Sequence, residues 1–195
     1  MRFQFCPSCG SKLILREAGD DGLTPYCEAC QKMWFDMFPS CAIVIVANEY
    51  NEIALLHQPR LSDRGVFVSG FITPGESAEE AALREVKEEL GLDIDHLESF
   101  GTFWFSKRGE LMHGFIAHVR KKELVCSSEI KSAYWFPVSD APEAMFPHGD
   151  DNHAWNMFRR YLEEIEDPER RLDGVYLTKR IKKEYEPCEE LEKRI

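Results

Sequence analysis

Glu85, Glu88 and Glu89 lie close together in the stretch GFITPGESAEEAALREVKEELGL, which runs from Gly70 to Leu92. On a helix, positions i, i+3 and i+4 share a face, so these three carboxylates converge. Left unneutralised, they raise one another's pKa or destabilise the helix. Lys87 cannot face all three, and Arg84 is the other nearby cation. Two outcomes fit the spacing. One is a solvated acidic face. The other is a hard divalent cation, Mg2+ or Mn2+, held by oxygen ligands. A cation so placed can bridge phosphate oxygens and produce a nucleophilic hydroxide. Spacing alone leaves both outcomes open.

A second constellation lies upstream. Cys6-Pro-Ser-Cys9 and Cys27-Glu-Ala-Cys30 are two CxxC pairs separated by seventeen residues. This is the separation of a four-thiolate zinc site, in which each pair spans one edge of a tetrahedron. The segment around it, 1–38, is too small to bury a core, and a structural metal contributes folding free energy directly. Four thiolates leave no open coordination position, so the expected Zn2+ is structural. Cys41, Cys126 and Cys188 share no such spacing and are assigned no role. His113, His118, His148 and His153 are likewise isolated, and packing or surface roles fit them better than catalysis.

Elements must position these groups. The stretch SKLILRE reads as a short strand and AGDDG as a turn. CAIVIVAN is a β-branched apolar run expected as a buried strand, followed by a turn at Asn48–Asn51 and the strand EIALLHQ. After the polar loop RLSDRG comes a short strand, VFVSG. From Ser77 to Leu90 the period becomes helical. Ala78, Ala81, Ala82, Val86 and Leu90 form the apolar side, with Glu79, Arg84, Glu85, Glu88 and Glu89 mostly elsewhere. Ser77 and Glu80 fit a capping box, and Gly91 a C-terminal stop. SFGTFWF and ELMHGFIAHV read as strands around a turn at Lys107–Gly109, and SAYWFPV as a further strand. Asn152–Ile165 is expected to be a helix with Trp155, Phe158, Tyr161 and Leu162 inward. Trp34 and Phe35 are expected to pack the cysteine-rich segment onto the following body. After Asp167-Pro168 the chain becomes a mixed-charge extension. Interleaved strands and helices predict an α/β domain.

Composition bounds the function. The chain has 195 residues, 44% hydrophobic and 30% charged, with a net charge of -11. That charge argues against a general nucleic-acid-binding surface, though a bound cation can reverse the local sign for an anionic substrate. No apolar run is long enough to span a membrane, and the N-terminus lacks a secretory apolar region. These features predict a cytoplasmic protein with reduced cysteines and no membrane partner.

The acidic stretch carries one more pattern. Gly70, five residues, Glu76, seven residues, then Arg84-Glu85-Val86-Lys87-Glu88-Glu89-Leu90-Gly91-Leu92 fills every signature position of the Nudix box. The chain thus resembles the Nudix hydrolase superfamily. The resemblance implies an α/β/α sandwich with a mixed sheet over residues 39–166, preceded by the zinc ribbon at 1–38 and followed by the extension 167–195. It assigns Glu85, Glu88 and Glu89 to Mg2+ or Mn2+, together with the Gly70 carbonyl and Glu129. One of these acids orients or deprotonates water, with Glu88 and Glu89 foremost, while Glu76 and Arg84 organise the loop and helix. The reaction implied is attack by metal-activated water on the diphosphate of a nucleoside diphosphate–X substrate.

A ribbon before such a domain is similar to the NADH pyrophosphatase branch. That likeness implies NADH- or NAD-like dinucleotides, or NAD-capped RNA, as substrates, and a homodimer. ADP-ribose, FAD, nucleotide sugars and modified nucleoside triphosphates are the alternatives, and a non-catalytic nucleotide sensor is a further one. In that branch the aromatic after the box glycine stacks on the base, a position held here by Phe71, and Phe103 and Trp104 are further substrate-binding candidates. The branch's downstream signature SQPWPFPxS is absent, because this chain reads GTFWFSKRGELM. Ser132 stands where the branch often has a second glutamate.

Overall fold

The computed structural model describes residues 3–59, 64–145, 149 and 152–166. Its elements fall in two units, Met1–Phe146 and Pro147–Ile195. The first unit opens with a small antiparallel sheet of β1 (Ile14–Glu17), β2 (Leu23–Cys27) and β3 (Lys32–Met33), ordered β1-β2-β3. All four residues of β1 are exposed, and the buried residues of this sheet are Thr24, Pro25 and Cys27 of β2. The strand and the Gly-Asp turn, a 3-10 segment at Gly19–Asp21, follow the sequence expectation. β2 and β3 do not, because β2 carries a central proline and β3 is only two residues long.

The main sheet contains β4 (Ser40–Asn48), β5 (Glu52–His57), β6 (Val68–Phe71), β7 (His96–Phe105), β8 (Glu110–Val119) and β9 (Ser132–Pro137). Its order is β7-β8-β4-β5-β9, with β6 paired to the first half of β4. β4 and β8 run parallel from Ser40↔Leu111 to Asn48↔Val119, and the other pairs are antiparallel. The fold is therefore mixed α/β with a mixed sheet. Seven consecutive buried residues of β4, Cys41–Ala47, explain why its sequence is a continuous apolar run rather than an alternating one.

Helix α1 (Ala78–Leu90) lies on one face of this sheet. Ala81, Ala82, Val86 and Leu90 join Ala42, Val44, Val46, Val68, Phe115 and Ala117 in one buried cluster. Fully burying a side chain such as Val86 or Leu90 contributes roughly 1.5–3 kcal/mol. A like-charge i,i+4 pair such as Glu85 and Glu89 opposes the helix by only ~0.2–0.5 kcal/mol. Packing therefore decides, and the acidic face is tolerated. The capping box is present, with Ser77 Oγ accepting from Glu80 N at 3.1 Å and Ser77 N donating to Glu80 Oε2 at 2.7 Å. Gly91 stops the helix in the left-handed region, φ 70°.

A short helix, α2 (Ala141–Ala144), follows β9 and was not expected from the sequence. In the second unit, α3 (His153–Glu166) buries Met157, Phe158 and Tyr161. Trp155 and Leu162, expected inward, are only partly buried, and Met157 takes the inward position instead. The extension 167–195 with Cys188, the loop residues Arg60–Asp63, and His148 lie outside the described residues. Among the described residues, no helix is long and apolar enough to cross a membrane.

Candidate metal and substrate site

The acidic stretch folds as strand end, loop and helix. Gly70, at the end of β6, pairs with Ala42 and faces α1. A Cβ built on Gly70 would fall inside the Glu85 carboxylate. Only glycine lets that carboxylate lie against the strand, so Gly70 and Glu85 are one device. In the loop, Glu76 accepts from Thr73 N and Thr73 Oγ1, both at 2.8 Å. Arg84 donates from Nε to Glu76 at 2.7 Å and from Nη2 to the Phe71 carbonyl at 3.0 Å. Its Nη1 reaches Glu85 at 2.6 Å and Glu88 at 3.1 Å. The Arg84 guanidinium, with the Thr73 donors, holds the Glu76 carboxyl down at about 2. Glu76 and Arg84 thus tie loop to helix.

Glu89 departs from that reading. It is only 6% exposed and sits with the buried residues of α1 rather than on the solvated face. The last turn of α1 brings its carboxylate beneath β6, where it accepts from the Ser69 backbone N–H. Its Oε2 is buried with no hydrogen-bond partner. Burial, followed by the charge of Glu85, pushes its carboxyl up to about 8, and Glu129 and Glu88 add to the shift. The structure therefore gathers Glu85, Glu88, Glu89 and Glu129 in one electrostatic neighbourhood. Glu129 reaches it from an exposed loop before β9, its N–H donating to Ser127 Oγ at 3.3 Å. A buried orphan carboxylate oxygen among further carboxylates, beside a glycine cradle, fits a hard divalent cation. The burial of Glu89 escaped sequence reasoning. Position 89 lies three residues beyond Val86, which is itself an apolar-face signal.

The aromatic candidates divide between two faces. Phe71, Cys41, Met112 and Phe103 are register partners in one row across β6, β4, β8 and β7. Phe71 and Phe103 thus share the face opposite α1, and Phe71 is half exposed. Trp104 points to the other face by strand alternation. Its ring meets Phe38 edge-on at 5.3 Å. The structure therefore does not bring Trp104 together with Phe71 and Phe103. Phe38, which no sequence signal marked, joins the cysteine-rich segment to the main sheet. Trp34 instead meets Phe3 at 5.8 Å and lies under Lys32, and Phe35 is exposed. His118 pairs with Glu98 at 3.3 Å, a surface role.

Cys6, Cys9, Cys27 and Cys30 place all four Sγ atoms within 4.8 Å of one another. Each pair forms a tight turn. Gly10 N donates to the Cys6 carbonyl at 2.8 Å, and Cys30 N to Cys27 Sγ at 3.4 Å. The residue after each second cysteine has positive φ, Gly10 at 75° and Gln31 at 52°. Ionisation is uneven across the cluster: Cys30 is pushed up to about 12, chiefly by Cys9 and then Cys27. Cys9 falls to about 6, chiefly through the Ser11 hydroxyl. The cluster is compatible with a zinc ribbon.

A NUDIX domain matches residues 37–161, the span that holds this sheet, helix α1 and the carboxylates around Gly70. The chain belongs to the NUDIX family. It is similar to proteins named as NAD-capped RNA hydrolases. The NAD-capped RNA hydrolase ndx-9 of Caenorhabditis elegans is 33% identical over 149 residues, covering 73% of this chain and 39% of that protein. The NAD-capped RNA hydrolase NudC of Vibrio atlanticus is 32% identical over 143 residues, covering 72% of this chain and 51% of that protein. The chain thus spans about half or less of the length of these curated relatives. Among solved structures, a NUDIX hydrolase from Nitrosomonas europaea superposes with a TM-score of 0.67 at 19% identity, covering 83% of this chain and 92% of that one. This last likeness concerns the fold.

Proposed function

We propose that this chain hydrolyses the diphosphate linkage of a nucleoside diphosphate derivative, with an NAD-like dinucleotide as favoured substrate. The products are a nucleoside monophosphate and the phosphorylated remainder. The observation that carries this reading is the buried, unpartnered Oε2 of Glu89 among Glu85, Glu88 and Glu129. Glu85, Glu88, Glu89, Glu129 and the Gly70 carbonyl supply the oxygen donors that Mg2+ or Mn2+ prefers. When bound, such a cation neutralises substrate charge and acidifies water. Glu89 is the residue placed to take the proton of the attacking water, since its Oε2 has no competing donor. Water oxygen bonds to one phosphorus, the bridging P–O bond breaks, and the bridging oxygen leaves with the second phosphate. Arg84 and Glu76 hold the loop and helix in register for this. Phe71 and Phe103, in one row, provide a surface on which a base can stack. The four cysteines would hold Zn2+ in a purely structural role.

The names of the relatives favour NAD-capped RNA as a second substrate. With a net charge of -11, recognition of such an RNA would rest on its cap rather than on the polynucleotide. The test is product analysis with purified protein and Mg2+ or Mn2+ on NADH, NAD, ADP-ribose, FAD and NAD-capped RNA. Wild type should release a nucleoside monophosphate, and Glu89→Gln should lose about 10²-fold or more in kcat. No turnover on any substrate, or full activity in Glu89→Gln, overturns the proposal.

A further inference from the structure

The face that carries Phe71 and Phe103 also carries a charged pair that no sequence pattern pointed to. Glu110 opens β8 opposite Phe105, two residues before Met112, so it lies on the same face as the Phe71–Cys41–Met112–Phe103 row. It is only 6% exposed, a rare environment for a carboxylate without a partner. Its partner is Arg108, from the β7–β8 turn, whose Nε lies 3.1 Å from Glu110 Oε1 in an ion pair. The turn is held by Arg108 N and Gly109 N, both donating to the Phe105 carbonyl. Arg108 itself is largely exposed, at 62% of its side chain. Its two Nη groups have no protein partner among the described residues. Cys41 locates this pair relative to the acidic site. Burial drives its thiol up to about 11, Glu110 and Glu85 add to that, and Arg108 opposes it. One buried thiol on this face therefore lies within electrostatic reach of both Glu110 and Glu85.

A guanidinium paired with a carboxylate on its Nε side, with both Nη groups open, is a fork matched to two oxygens of a phosphate. The buried carboxylate behind it fixes the fork and reduces the ordering entropy lost on binding. We propose that Arg108, positioned by Glu110, binds a phosphate group of the nucleotide substrate on the Phe71–Phe103 face. This rests on the hydrolase reading for the identity of the ligand. It locates a cationic contact in a site whose other charged groups are mostly acidic, and it falls in the stretch SKRGEL where this chain lacks the prolines of the branch signature.

The test compares wild type with Arg108→Gln, Arg108→Lys and Glu110→Gln. It measures KM and kcat for NAD and NADP, and equilibrium binding of ADP in Mg2+. Arg108→Gln should raise KM about tenfold, the loss typical of a charge-assisted contact, with most of the change in KM rather than kcat. ADP should bind about tenfold more weakly, and the salt dependence of binding should flatten. Arg108→Lys should restore the salt dependence but only part of the affinity. Glu110→Gln should show a smaller rise in KM, and none on top of Arg108→Gln, as expected of a residue acting through Arg108. Equal losses on NAD and NADP place the contact on the diphosphate, and a loss confined to NADP places it on the 2′-phosphate. A KM and an ADP affinity within twofold of wild type in a folded Arg108→Gln overturn the proposal while leaving the hydrolase reading intact. If wild type hydrolyses neither dinucleotide, ADP binding alone decides this proposal, and the hydrolase reading is judged on the other substrates. If Arg108→Gln does not fold, Arg108→Lys carries the test, and undiminished affinity there overturns the proposal.

Discussion

At the scale of single residues, Glu89 is the side chain for which charge patterning and burial disagree most. By composition it belongs with Glu85 and Glu88 on a polar face, and by position it lies beneath β6 with an orphan oxygen. Its carboxyl stands at about 8 in the cation-free fold against an ordinary 4.5. The folded chain therefore holds a proton that the unfolded chain has released. The associated stability is present below about pH 4.5 and is lost as pH rises through about 8. Metal-free wild type should show a falling urea midpoint between about pH 5 and pH 9. Glu89→Gln, which cannot ionise, should lack that part of the slope. Adding Mg2+ at about pH 8 should raise the midpoint of wild type and not that of Glu89→Gln, since only binding to the folded state stabilises it. Identical pH profiles in the two proteins would contradict this account of the site.

At the scale of elements, α1 was legible almost to the residue. Its start, stop and apolar stripe are all encoded within a few positions of one another, through the Ser77–Glu80 box, Gly91, and the spacing of Ala81, Ala82, Val86 and Leu90. Ser77→Ala removes the acceptor for Glu80 N at an exposed helix end, and should lower unfolding free energy by about 1 kcal/mol at unchanged m-value. Urea titration measures it, and a change in m instead would mean the loop itself had opened. β7 was less legible. It begins at His96, three residues before the expected strand, because pairing with β8 extends through a bulge at Ser99/Gly101. Strand alternation also divided residues that the sequence presents side by side, placing Phe103 with Phe71 and Trp104 against Phe38.

For the whole molecule, the cysteine cluster and the main sheet draw on different sources of stability. Among the described residues, the buried cluster between α1 and the sheet contains none before Ala42, whereas the first sheet has an exposed β1 and four converging thiols. Cys27→Ser should therefore abolish bound zinc, read by metal analysis, while the near-ultraviolet signature of the main sheet persists. Retained zinc stoichiometry would contradict the four-thiolate assignment. The sequence alone determined the family, the box residues, the zinc-type spacing and most strands, because each depends on short-range periodicity or on ligands at set separations. Only the tertiary structure buried Glu89 under β6, seated Glu85 on Gly70, brought Glu129 toward them, and set Glu110 behind Arg108. Those relations join segments far apart in the chain. They depend on strand register and on how the helix rests on the sheet, and neither is written in any local run of residues.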